Sequence, residues 1–260
     1  MLLLCVVDSY VYGVTQLHDV VYIVRQQSST ILRFNATTHQ RLTDINVKDL
    51  RVPWHIAACE RTSHVYVAEL EECVWRVPSD GKDVKRWLPK SPSDTFKPYA
   101  LSVTSSILLV TSVDTKELMQ LDEAGGELRR VQLPEHMKPL HAMESPTKTF
   151  IVGHGNTELE KGLVSEVNTE GQVLRQFSGS RLSSLGTPHI AVDSQGNIFV
   201  ADRDNRHILL LDAQLALHRV IINEDQLNDK QPRRLCYKEQ SGQLMVGFYD
   251  DVAVFDVLKR

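Results

Sequence analysis

The sequence predicts an all-β fold: a six-bladed β-propeller of four-stranded antiparallel blades, closed by an N-terminal strand that completes the last blade (a 1+3 closure). Three observations carry this. Short apolar runs rich in β-branched residues recur with turn signals about every ten residues, and no amphipathic helix interrupts them. These runs group into units of about 40 residues, a period typical of propeller blades. The last unit is one strand short, while the chain begins with a strand left over.

That opening run is Leu2–Val7. It lacks a positive leading region and stops at Asp8, short of a signal-peptide core, so a strand is expected. Blades are then expected at residues 11–47, 53–89, 97–134, 138–179, 187–223 and 231–258 plus 2–7, in one domain over 1–260. Turn chemistry punctuates them: Asp80-Gly81, Gly125-Gly126 and Glu170-Gly171. The run from Lys90 to Asp94 reads as a loop between blades. The fifth blade shows the unit most plainly. It runs through Ile190-Ala191-Val192-Asp193, Gly196-Asn197-Ile198-Phe199-Val200-Ala201-Asp202, Asn205, Ile208 and Leu211-Asp212. With Leu2–Val7 lent to the sixth blade the ring has no open sheet edge, which guards against edge-to-edge aggregation.

The fifth blade closely resembles the NHL repeat, and the remaining blades follow it more loosely. The resemblance implies a relative of the propellers of tripartite-motif (TRIM-NHL) and related ubiquitin ligases. Such a propeller recognises substrates as a scaffold, and some members of the family bind RNA through a basic face. The scattered Cys5, Cys59, Cys73 and Cys236 cannot supply the paired ligands of a RING module. Any ligase role would therefore belong to a larger protein or to a partner.

Composition narrows the classes. With 42% hydrophobic and 24% charged residues the chain is a globular protein rather than a disordered one. A net charge of −4 argues against a surface that grips nucleic acid throughout. No run approaches the ~20 apolar residues of a membrane span. The cysteines sit among apolar strand residues without a CxxC pair. They are expected as free thiols in a cytoplasmic protein, with one disulfide in a secreted protein as the alternative.

The inner strand of each blade lines a central shaft. Aligning the inner strands places Gly13, His55, Ala100, His141, His189 and Arg234 at equivalent positions, next to Trp54. The candidate binding site is therefore one channel mouth bearing His55, His141, His189, Arg234 and Trp54. Three imidazoles suit zinc or another transition metal on the axis, as in a metal-dependent lyase or hydrolase, so His55, His141 and His189 are the candidate ligands. Alternatively each is a half-buried shaft residue satisfied by water or carbonyls. The Glu, Asn and Asp lining that calcium-dependent lactonase propellers use is missing, and there is no G-x-S-x-G elbow, so no catalytic residue is assigned. For RNA the candidates are Arg203, Arg206, Arg233 and Arg234, with Arg181 and Lys238 nearby, interleaved with acids. Asp193, Asp202 and Asp212 are expected to fix turns, Glu69 and His154 to stand beside the shaft positions, and Trp75 to pack between blades. The expected function is a monomeric, non-catalytic scaffold with no cofactor, holding a protein or peptide on the mouth face and no membrane.

Overall fold

The computed structural model describes residues 2–5, 10–88, 95–105, 107–177, 182 and 188–257. Val6, Val7, Arg181 and the 90–94 segment lie outside them. Six separate four-stranded antiparallel sheets form the blades. Five are meanders of consecutive strands, and the sixth has the order Leu2–Cys5, Asp251–Asp256, Gln243–Gly247, Arg234–Lys238. Leu2 lies opposite Val254 and Cys5 opposite Asp251, so the chain's beginning is hydrogen-bonded to its end, as the strand count required. A single 3-10 turn, Asp225–Leu227, is the one helical element among the described residues.

Burial is greatest in the middle of the blades and least at the rim. The second strands, such as Val20–Arg25, Leu108–Ser112 and Ile198–Asp202, are buried almost throughout. Each is covered on both faces by neighbouring blades, which explains runs such as Leu108-Leu109-Val110 where a half-exposed strand would alternate. The fourth strands Glu127–Gln132 and Val173–Phe177 stand mostly in water and carry charge accordingly. Apolar clusters therefore lie between adjacent blades. Trp75 packs with Tyr22 and Ile31 of the first blade, as expected, and its Nε1 donates to Glu69 at 2.8 Å.

One turn is built four times. Asp122, Asn168, Asp193 and Asp212 each accept through Oδ1 from the backbone N–H groups two and four residues on, at 2.8–3.1 Å. The third residue of each turn after that acceptor has positive φ: Gly125, Gly171, Gly196 and, unusually, Leu215 at 62°. Asp193 and Asp212 are thus the turn-fixing residues the sequence implied. Asp202 fixes its own turn, accepting from the Asn205 side-chain amide at 2.9 Å and from the Asn205 backbone N–H.

The closing strand offers a direct test. Leu4 is 2% exposed and packs with Val252, Val254 and Val11. Leu4→Ala should lower stability by about 2–4 kcal/mol, against a change within about 0.5 kcal/mol for the exposed Leu128→Ala. Urea unfolding measures both, and equal midpoints would mean that Leu4 is not seated in the ring.

Candidate axial site

The inner strands are Val11–Leu17, Pro53–Cys59, Ala100–Val103, Met137–Glu144, His189–Val192 and Arg234–Lys238. Their registers confirm the alignment made from sequence. Gly13, His55, Ala100, His141, His189 and Arg234 pair with Val24, Ala68, Thr111, Gly153, Ala201 and Gly247 of the second strands. Two positions on, Thr15, Ala57, Ser102, Met143, Ala191 and Cys236 line a cavity of about 150 Å³ beneath that ring. Period-two alternation thus gives the shaft one crowded level and one roomier level below it.

At the crowded level the three histidines meet. His55 Nε2 lies 2.7 Å from His189 Nε2. The ring of His141 stacks on that of His189 with centroids 4.0 Å apart, and lies 5.0 Å from that of His55. One ligand atom from each of the three falls within 4.8 Å of the others. The spacings are unequal because the second, fourth and fifth blades are not related by threefold symmetry.

Space is made for this by glycine. A Cβ on Gly153, opposite His141, would stand 2.2 Å from the Pro188 carbonyl oxygen, so only glycine lets the fourth blade lie this close to the strand carrying His189. Gly13 occupies the first blade's ring position, where a Cβ would meet the Ile56 backbone nitrogen at 2.9 Å.

A collar stands one residue above the ring. In the first, second and fourth blades the register slips at this point, so that Tyr12, Trp54 and Leu140 are extra residues without a partner across the strand pair. Such bulges re-aim side chains at strand ends. The Tyr12 and Trp54 ring centroids are 4.5 Å apart, and those of Trp54 and Tyr99 5.3 Å, making an aromatic arc over three blades. Trp54 is half-buried, and its side chain is the hydrogen-bond partner of Tyr99. Arg234 reaches under the arc, donating from Nε to the Tyr12 carbonyl at 2.6 Å and from Nη1 to the Arg233 carbonyl at 3.0 Å. No carboxylate pairs with it among the described residues, although burial lowers its pKa. Trp54, Tyr99, Arg234 and the three histidines enclose a small cavity of about 20 Å³ above the imidazoles. Tyr12 and Tyr99 were not singled out from sequence; shifting the alignment of the inner strands by one residue finds both.

The neighbouring positions serve the scaffold. Glu69 accepts from Trp75 and from the Arg51 backbone, and His154 Nε2 bonds Ser165 Oγ at 2.9 Å. Cys59, Cys73 and Cys236 are free thiols, and burial pushes Cys73 up to about 12. Of the proposed RNA arginines, Arg203, Arg233 and Arg234 lie near one another, but their partners differ. Arg206 pairs with Glu224, Arg203 lies 3.7 Å from Asp204, and Arg233 stacks on the Tyr249 ring at 3.5 Å, while Arg234 belongs to the shaft. Lys238 stands at the other mouth, paired with Glu60.

No family model matches the chain, and no curated protein matches it. Among solved structures it is similar to three propeller proteins. Hydrazine synthase of Kuenenia stuttgartiensis is 12% identical with a TM-score of 0.66, covering 96% of this chain and 97% of that one. Virginiamycin B lyase from Staphylococcus aureus is 13% identical with a TM-score of 0.64, covering 94% of each chain. A streptogramin B lyase is 11% identical with a TM-score of 0.63, covering 95% of this chain and 94% of that one. At such identities the likeness establishes the six-bladed propeller. No helix among the described residues is long and apolar enough to cross a membrane.

Burial holds the imidazoles neutral. His141 and His154 are pushed down to about 4, and His55 and His189 fall well below the ordinary value through burial first and the neighbouring rings next. The unfolded chain therefore takes up protons that the folded one refuses. The stability these rings contribute is complete above about pH 6.5 and is lost as pH falls from there toward about 4. At pH 5 the loss should be on the order of 2 kcal/mol for His141. Urea midpoints at pH 7 and pH 5 measure it, and His141→Phe should reduce the difference by about that amount, leaving the part due to His55, His154 and His189; an unchanged wild-type midpoint would contradict the burial.

Proposed function

We propose that this chain is a non-catalytic interaction scaffold that receives a group of a protein or peptide partner at the collar mouth. The observation that carries this is Arg234 set beneath Tyr12, Trp54 and Tyr99 with no carboxylate paired to it among the described residues. Aromatic residues and arginine are the types that dominate binding energy at interfaces, and loops on a rigid disc suit such a role. The NHL-like fifth blade is in keeping with a substrate-recognition propeller of the TRIM-NHL kind in the cytoplasm, and a link to ubiquitin ligation rests on that resemblance alone. Panning a random peptide library against the protein tests the reading. Enriched peptides should lose roughly tenfold or more in affinity with Trp54→Ala, and nothing with Lys238→Ala at the other mouth. Peptides indifferent to Trp54 would move the interface elsewhere.

A metal-dependent lyase or hydrolase is the second reading, favoured by three imidazoles with ligand atoms within 4.8 Å and by the lyases among the structural neighbours. The ring as arranged fits a metal poorly. Two nitrogens on a tetrahedral zinc stand about 3.3 Å apart, whereas the His55 and His189 Nε2 atoms are 2.7 Å apart. Binding through both Nε2 atoms would also put the ring hydrogens on Nδ1, facing the amide N–H groups of Leu101 and Leu235. Elemental analysis of the purified protein separates the readings: the scaffold should carry less than stoichiometric zinc or iron. One equivalent of metal, lost in His141→Ala, would establish the metal centre.

A further inference from the structure

The hydrogens around His55 and His189 do not fit the hydrogen bonds between them. Leu101 N–H points at His55 Nδ1 at 3.3 Å, the two Nε2 atoms face each other at 2.7 Å, and Leu235 N–H points at His189 Nδ1 at 3.2 Å. That row has three gaps. It also has four hydrogens, two on the amides and one on each neutral ring. A gap between two nitrogens holds one hydrogen, so one is surplus whichever tautomers are chosen.

The arrangement that keeps both backbone bonds puts a hydrogen on each Nε2. The two Nε2–H groups then need an acceptor on the axis that both can reach. Directly above them lies the small cavity, which Arg234 and Trp54 also line. Arg234 commits Nε and Nη1 to carbonyls, and Trp54 faces Tyr99. His141 differs: its Nε2 faces the Leu101 carbonyl at 3.3 Å, and its other backbone partner is Ile190.

We propose that the small cavity above the imidazoles is an anion site. It takes one oxygen-bearing head such as a carboxylate, which accepts from the Nε2–H groups of His55 and His189 and neutralises Arg234. A cavity of about 20 Å³ admits about one water-sized atom, so one oxygen of the head enters it and the rest stays at the collar. The inference rests on the scaffold reading and deepens it, by making the group received at the collar an acidic one. A carboxylate of a peptide and a free small carboxylic acid share this chemistry.

Sodium formate is the probe, titrated at constant ionic strength with sodium tetrafluoroborate, whose anion offers no oxygen. Formate should quench Trp54 fluorescence saturably and shift the imidazole ¹⁵N signals of His55 and His189, both in the Nε2–H form. Arg234→Met should weaken formate roughly tenfold or more, the scale of a charged hydrogen bond, and Arg234→Lys should recover part of it. Where Arg234→Met fails to fold, the ¹⁵N titration of the wild type decides alone. No saturable response, or an equal one to tetrafluoroborate, would overturn the site and leave water as the acceptor. Zinc that binds in competition with formate, moving the ring hydrogens to Nδ1, would overturn it in favour of a metal. Peptides enriched at the collar distinguish this failure from that of the scaffold. If amidated, acid-free peptides bind through Trp54 as well as acidic ones, the anion site falls and the scaffold stands. If formate binds but no peptide depends on Trp54, the reverse holds. Binding restricted to C-terminal carboxylates would identify the peptide source, and binding of free acids alone the small-molecule one.

Discussion

The backbone hydrogen bonds between Leu2–Cys5 and Asp251–Asp256 hold the rest of the structure in register. Each blade buries its faces only against its neighbours, so the apolar strands of the first and last blades need each other as much as any internal pair does. Leu4, Val11, Met245 and Val254 share one apolar cluster across that junction. Closing the ring converts two exposed edges into a seam, and it fixes the diameter of the shaft that the inner strands share.

The axial site follows from that diameter. Six inner strands converge closely enough that three imidazoles touch and close the shaft between the collar and the larger cavity below. The crowding has consequences in both directions. Burial keeps the rings neutral, and neutrality sets the count of hydrogens that the axis must accommodate. Gly13 and Gly153 belong to the same constraint, since a side chain at either would push apart the strands that bring the rings together.

The collar and the ring divide the chemistry between them. Tyr12, Trp54 and Tyr99 give apolar area with little conformational freedom to lose, while Arg234 gives a fixed positive charge at the base of the arc. At the opposite mouth the aromatic and basic residues are engaged with one another or with acids: Tyr237 packs on Phe199, and Lys238 has Glu60 as its partner. The asymmetry is why we assign recognition to the collar side. The basic residues at 203, 206 and 233 are engaged with acids or with Tyr249.

Much of this was legible in the chain. Period-two patterning and turn residues determined the blades, because a strand shielded on both faces must be apolar and a tight turn needs Asp, Asn or Gly. The missing last strand determined the closure. Repetition even placed His55, His141 and His189 at one level, since equivalent positions in equivalent blades share a height on the axis. Only the tertiary structure decided what those residues do there. The bulges that aim Tyr12 and Trp54 are register shifts that alternation does not signal. The 2.7 Å approach of two Nε2 atoms and the bond from Arg234 to the Tyr12 carbonyl join residues 134 and 222 apart in the chain. Local patterning encodes which face a side chain takes; how near two such faces come depends on the closed ring as a whole.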